Sequence, residues 1–284
     1  MSRLTRLHPA ATLALCLGAL VPWACAARAA QRPLWELGMG VGAVSFPDYP
    51  GSSSQTSYLL PVPYLIYRGD ILRSDKRGFR ARLLRNDRVD ANLSLGASPP
   101  VRSSSDGARR GMPDLLPTVS FGPAVELHLW RSASRTMRLD LRAPLRTVFD
   151  VERSPRQIGW LVTPVLNLDV ADLPQWHGWK LGVQSGPIFA DRRYNRTYYG
   201  VDAQYATPQR PAYVAHGGYS GSQLTLALSQ RFARYWVGGF ARVDNLHRAV
   251  FADSPLVQRQ TNVSVGIGMA WILGVSTRMV DSDE

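Results

Sequence analysis

Arg138, Asp140, Arg142 and Arg146 recur at every second or fourth position between Met137 and Arg146. Met137, Leu139, Leu141 and Leu145 fill the places between them. On a strand, alternate side chains point to opposite faces, so one face here is charged and the other apolar. Arg80, Arg82, Asp90, Glu126 and Asp169 fall on the polar phase of similar segments. Such a face can do two things. Its charges can pair into a network, or they can line a wet path, where rings of arginine favour anions. Bond-making chemistry needs a nucleophile beside a base. The histidines beyond the first thirty residues are His128, His177, His216 and His247. His216 has Ser220 nearby, and His247 has Asp244 nearby. No Gly-x-Ser-x-Gly, His-Glu-x-x-His, phosphate-loop or calcium-loop pattern accompanies them. The expectation is a protein that is not an enzyme and has no cofactor.

The first thirty residues set the compartment. Arg3 and Arg6 precede the apolar run ALCLGALVPWACA, and small residues ending in ARAA follow. This is the pattern of a secretory signal peptide, over residues 1–30, cleaved near Ala29 or Ala30. Both cysteines, Cys16 and Cys25, lie inside it, so the exported chain has neither disulfides nor cysteine-held metal. Loss of three arginines lowers the net charge from +12 to +9. A basic exported protein suits anionic lipid or lipopolysaccharide, and nucleic acid is excluded by location.

The elements that must position these charges are strands. Beyond the signal there is no run of about 18 apolar residues and no helical stripe. Period two recurs instead, as in VDANLSLGAS (89–98), and again near residues 35–43, 119–129, 137–146, 223–229 and 263–271. These segments have the roughly 9–11 residues that a tilted strand needs to cross a bilayer. Trp35, Tyr58, Tyr67, Trp130, Trp160, Trp179, Tyr235, Trp236 and Trp271 stand near strand ends, where interfacial girdles form. The connections alternate in length. Short ones fall at 86–88, 131–134, 173–178 and 231–234, and long ones at 45–57, 99–114, 191–217 and 246–260. Outer-membrane barrels have short periplasmic turns and longer outer loops. The expectation is all-β: a single transmembrane antiparallel barrel over residues 31–272. It has about twelve strands if a short one lies near residues 71–74, and ten if it does not. Residues 273–284 are either the end of the last strand or a short periplasmic tail.

The sequence resembles the MipA/OmpV family of outer-membrane proteins. The resemblance rests on GMGVGAVSFPDYPGS (38–52), PVPYLIYRGDIL (61–72) and GFRARLL (78–84). It rests further on RRYNRTYYGVDAQYATPQRPAYVAHGGYSG (192–221) and ADSPLVQRQTNVSVGIGMAW (252–271). The resemblance implies a barrel in the outer membrane of a Gram-negative bacterium. It also implies a scaffold that brings a periplasmic murein hydrolase, a lytic transglycosylase, together with a peptidoglycan synthase. No catalytic residues come with it. The alternatives are a narrow, anion-preferring diffusion channel and a surface loop protein that binds lipopolysaccharide or a host ligand.

These readings assign roles. Arg80, Arg82, Asp90, Glu126, Arg138, Asp140, Arg142, Arg146 and Asp169 are expected to face the lumen. Arg109, Arg110, Arg192, Arg193 and Arg196 are expected on loops that meet lipopolysaccharide phosphates, which the arginine fork bonds bidentately. Trp176, His177 and Trp179 form a bulky turn expected to touch a periplasmic partner, with basic RFAR (231–234) beside it.

Overall fold

The computed structural model describes residues 30–69, 72–75, 78–85, 88–173 and 175–282, with side chains at 31–69, 88–173 and 175–280. The expected signal segment before residue 30 and the Arg80 and Arg82 side chains lie outside the described residues. In chain order the strands are β1 (Ala30–Pro33), β2 (Trp35–Pro47), β3 (Gln55–Arg68), β4 (Leu72–Asp75), β5 (Gly78–Arg85), β6 (Val89–Ser98), β7 (Thr118–Arg131), β8 (Met137–Asp150), β9 (Gln157–Val162), β10 (Val165–Leu173), β11 (Trp176–Ala190), β12 (Gly218–Arg231), β13 (Tyr235–Asn245), β14 (Thr261–Val275) and β15 (Met279–Ser282). The helix α1 (Arg192–Tyr199) and a 3-10 turn (Ala203–Tyr205) interrupt the longest loop.

Strands β2 to β14 form one antiparallel sheet that closes on itself, β14 pairing with β2 and β8 with β10. Both β9 and β10 lie between β8 and β11, so they are one crossing broken at Thr163-Pro164. The described strands therefore make twelve crossings of the barrel, the four-residue β4 included. Closure joins the first crossing to the last, which an open sheet in hydrocarbon could not do, while β3 pairs with the short β4 only at Tyr67 and Arg68.

Burial is inside out relative to a soluble sandwich. On β6, Asn92 is 4% exposed and Leu95 50%. On β14, Ser264 is 8% exposed and Ile267 72%. The apolar phase of each strand thus faces outward as a lipid-facing belt, and the polar phase fills the interior. Trp130, Trp160 and Trp271 lie on the outer surface, as the girdle requires. Tyr58 and Trp236 do not. Tyr58 shares the inward phase of Phe46 and stacks on it, and Trp236 lines the lumen beside Tyr64. Position near a strand end says nothing about phase, and phase decides which face an aromatic joins.

The chain ends meet. β1 pairs with β15, Pro33 opposite Met279, at the rim where β2 starts and β14 stops. Residues past 275 therefore return to the start of the barrel.

At the opposite rim, loops 48–54, 99–117, 191–217 and 246–260 fold together into a lid. Among the described residues the buried hydrophobic cluster lies here, with Tyr49, Leu115, Tyr198, Tyr199, Leu246, Phe251 and Leu256 at its centre. The helix of the lid is capped by Asp191, whose side chain accepts from the Tyr194 amide at 2.9 Å. It sits so close to β9 that a Cβ on Gly159 would fall 2.3 Å from the Asp191 carboxylate.

The closing seam makes a test. A Cβ on Gly40 would lie 1.9 Å from the Met269 carbonyl oxygen across β14. Gly40→Val should prevent closure, giving a protein without heat-modifiable migration on gels. Met39→Ala, one residue away on the lipid face and 61% exposed, should keep that migration. A folded Gly40→Val barrel would show that the seam tolerates a side chain.

Candidate functional site

The lumen is the candidate site, and it is charged at the short-turn end. Glu36, 1% exposed, begins β2 and is held by Arg68 of β3 at 3.0 Å and Arg231 of β12 at 2.7 Å. The Tyr64 hydroxyl lies 3.5 Å from the same carboxylate. Around the wall, Asp140 of β8 forms an ion pair with Arg138 at 2.8 Å and meets His128 of β7 at 2.9 Å. His128 also lies 3.6 Å from Asp90 of β6. Arg138 reaches Asp169 of β10 at 3.4 Å, and Asn167 donates to that carboxylate at 2.9 Å. Gln184 of β11 continues the chain to Asn167 at 3.0 Å. Glu126, His128 and Asp140 bring three ligand-type atoms within 4.8 Å of one another. Arg138 sits on the same Asp140, so this cluster already carries its own counter-charge.

The lumen has two unlike walls. Gly42, Val44, Leu60, Val62, Trp236 and Phe240 line one side of a cavity of about 460 Å³, and Asn167, Asp169, Lys180 and Gln184 line the other. A second cavity of about 570 Å³ lies under the lid, where Arg146 and Arg242 enter among Tyr194, Tyr198 and Phe46. Arg242 is held by Asp244 at 2.6 Å. Arg142 donates to Ser94 at 3.1 Å.

The lid ties its four loops by specific bonds. Tyr49 donates to the Leu256 carbonyl and Tyr199 to the Pro50 carbonyl, each at 2.9 Å. Ser52 donates to Asp106 at 2.6 Å, and Ser254 to the Tyr199 carbonyl at 2.7 Å. Burial pushes the Tyr49, Tyr194 and Tyr199 hydroxyls above the ordinary phenol range, so they stay neutral donors. Tyr199 and Phe251 stack face to face.

Of the lid arginines, Arg110, Arg192, Arg193 and Arg196 are exposed. Arg109 is not, and its expected role facing lipopolysaccharide is corrected. It is 3% exposed, donates to the Tyr198 carbonyl at 3.1 Å and lies over the Tyr49 ring. Burial lowers its pKa, because the charged form loses water. Arg196 pairs with Asp202 at 2.8 Å, and Arg193 bonds Gln157 at 3.2 Å. Arg231, on the short-turn rim, donates to Glu36 at 2.7 Å and is itself exposed. Trp176 and His177 are exposed on the short-turn rim, while Trp179 is half-buried. Ser220 Oγ is engaged by Asn195 and by the Gly218 carbonyl, and no described histidine ring bonds it.

Glu36, Arg68, Arg231 and Arg242 escaped the sequence reading. Glu36 stood on the polar phase of its strand, but its partners lie 32 and 195 residues away. Only the closed sheet brings them together.

Two tests follow from this geometry. Glu36→Gln strands two arginines on a neutral amide, and breaking a buried pair costs about 3–5 kcal/mol. Urea unfolding in lipid vesicles should show that loss, and exposed Glu152→Gln should not; equal stability of the two would contradict the role of Glu36. Arg109→Ala leaves the buried Tyr198 carbonyl short of a donor, a loss of about 1–3 kcal/mol. Trypsin should then cut within residues 99–117 several-fold faster than in the parent or in exposed Arg192→Ala. Unchanged cleavage would mean that Arg109 does not hold the lid.

Several solved structures are similar to the chain at a low level. A bacterial polysaccharide outer membrane secretin has 10% identity and a TM-score of 0.43, over 84% of this chain and 99% of that one. Outer membrane phospholipase A from Escherichia coli has 10% identity and a TM-score of 0.33, over 85% and 94%. The outer membrane protein OprD from Pseudomonas aeruginosa has 6% identity and a TM-score of 0.26, over 91% and 97%. None of the curated proteins matches the sequence. Residues 39–273 match the MltA-interacting protein MipA family, nearly the whole closed sheet, and the chain belongs to that family of outer-membrane barrels.

Proposed function

We propose that this outer-membrane barrel is an occluded anchor that holds a periplasmic murein hydrolase, a lytic transglycosylase, beside a peptidoglycan synthase. One observation carries the reading: a bonded four-loop lid covers one mouth, and buried ion pairs line the wall at the other. A barrel closed in this way acts through its rims rather than through its lumen. The family's name, MltA-interacting protein, supports a partner connected with peptidoglycan. In barrels of this kind the short turns face the periplasm. On that rim the β1–β15 clasp forms a small platform, and Trp176, 58% exposed, offers an aromatic anchor of the type that dominates interfaces. The proposal includes removal of the signal segment before the barrel inserts. On the opposite rim, Arg110, Arg192, Arg193 and Arg196 give the lid a basic surface suited to lipopolysaccharide phosphates. No catalysis is assigned to the chain.

A second reading is a narrow channel, favoured by the two cavities, which share Val44 and Phe240 as lining residues. It requires the lid to part.

The anchoring role is tested by recovery of a purified lytic transglycosylase from the same organism on the immobilised, folded barrel. The parent should retain it, and Trp176→Ala should lower recovery roughly tenfold, as loss of an interface hot spot does. Trp160→Ala, an exposed tryptophan on β9, should leave recovery intact. No retention by the parent would overturn the anchoring role, and equal retention by Trp176→Ala would move the contact elsewhere.

A further inference from the structure

Four of the lumen arginines are matched by acids. Arg138 has Asp140 and Asp169, Arg242 has Asp244, and Arg68 and Arg231 share Glu36. Arg146 is different. Among the described residues it has no carboxylate partner, and its one hydrogen bond runs from Nη2 to Thr163 Oγ1 at 3.3 Å. Its Nε is buried with no acceptor. A half-buried guanidinium without a counter-charge is costly, and a bound anion would relieve that cost. The wall is cut to fit it. A Cβ on Gly96 would fall 2.8 Å from Arg146 Nη1, so the guanidinium lies against β6 at the glycine and would have to shift for a side chain there.

Arg146 opens into the cavity of about 570 Å³ under the lid. The two acids on that lining are occupied. Asp244 is bonded by Arg242 at 2.6 Å, and Asp48 accepts from Thr56 at 2.6 Å. The remaining surface near Arg146 is largely aromatic, from Phe46, Tyr194, Tyr198 and Phe240. Phe240 and Val44 also line the lower cavity, where Leu60, Val62 and Trp236 extend the apolar wall. A cavity of this size, with aromatic and hydroxyl side chains around one arginine that has no described carboxylate partner, has the anatomy of a small-molecule site.

We propose that the chamber beneath the lid binds a small organic carboxylate. Its carboxylate takes the open edge of Arg146, where a planar fork meets a planar anion. Its apolar body lies on Phe240 and Val44, pointing toward the lower cavity. The site goes beyond the anchoring role and stands without it, because that role is read by transglycosylase recovery and this one by ligand binding.

The test is equilibrium dialysis of radiolabelled benzoate against the folded barrel in lipid nanodiscs, run for a day so that the lid exchanges. The parent should bind benzoate saturably, one per barrel, and benzyl alcohol, its neutral counterpart, should not compete. Arg146→Gln should weaken binding at least tenfold. Gly96→Ala, whose methyl presses on Nη1, should weaken it too and gives a second route should Arg146→Gln fold poorly. Arg110→Gln, an exposed lid arginine, should bind as the parent does. Heat-modifiable migration checks the fold of each variant. No saturable binding, equal binding by both chamber variants, or competition by benzyl alcohol would overturn the site. Displacement of benzoate by an equal concentration of inorganic phosphate would overturn the organic part, leaving a bare anion pocket.

Discussion

The structure depends on one constraint: a strand facing hydrocarbon must find every backbone partner within the protein. The β14–β2 ladder meets it by joining the last crossing to the first, from Val265 opposite Ser45 to Val275 opposite Glu36. Gly38 and Gly40 let the two strands approach there, since a Cβ on either would strike a carbonyl of β14. Once the sheet is closed, the apolar phase of each strand has only lipid to face. The polar phase is enclosed, where a charge without a partner is costly. The Glu36 and Asp140 clusters answer that requirement, and they place the densest charge in the short-turn half.

The protein therefore has two interiors of opposite character. The barrel encloses polar groups and turns its hydrophobic residues outward. The lid, standing beyond the membrane, is built like a small soluble domain, with tyrosines, leucines and a phenylalanine inside. Hydrogen bonds join its loops in a circuit, so no loop moves without disturbing another. Ser52–Asp106, Tyr199–Pro50, Ser254–Tyr199 and Arg109–Tyr198 are its links. Between lid and ion pairs the lumen keeps its open volume on the side of β2, β3, β13 and β14, where side chains are small or apolar.

The barrel was legible in the sequence because its signals are local. Alternation in VDANLSLGAS, strand length and the rhythm of short and long connections all survive without knowing which strands pair. That rhythm even required the short crossing that became β4. Which charge meets which was not legible, because Glu36 and Arg231 lie almost at opposite ends of the chain. Arg109 misled for a related reason. A basic residue in a Ser- and Gly-rich loop reads as solvated, and only the folded lid, with Tyr49 and Tyr198 around it, makes it a core residue. Trp236 misled through its place near a strand end, where phase rather than position decides between lipid and lumen. The lid core carried a weak signal that could have been read: aromatics at Tyr194, Tyr198 and Tyr199, with apolar residues at Leu246, Phe251 and Leu256, are too many for solvated loops.

The anchoring proposal needs a folded barrel that does not conduct. Single-channel recording of the refolded protein in a planar bilayer tests it most directly, with heat-modifiable migration confirming the fold. An occluded barrel should leave the bilayer silent at moderate voltage. A steady ohmic current from folded protein would contradict it, and would mean that lid and ion pairs leave a continuous aqueous path.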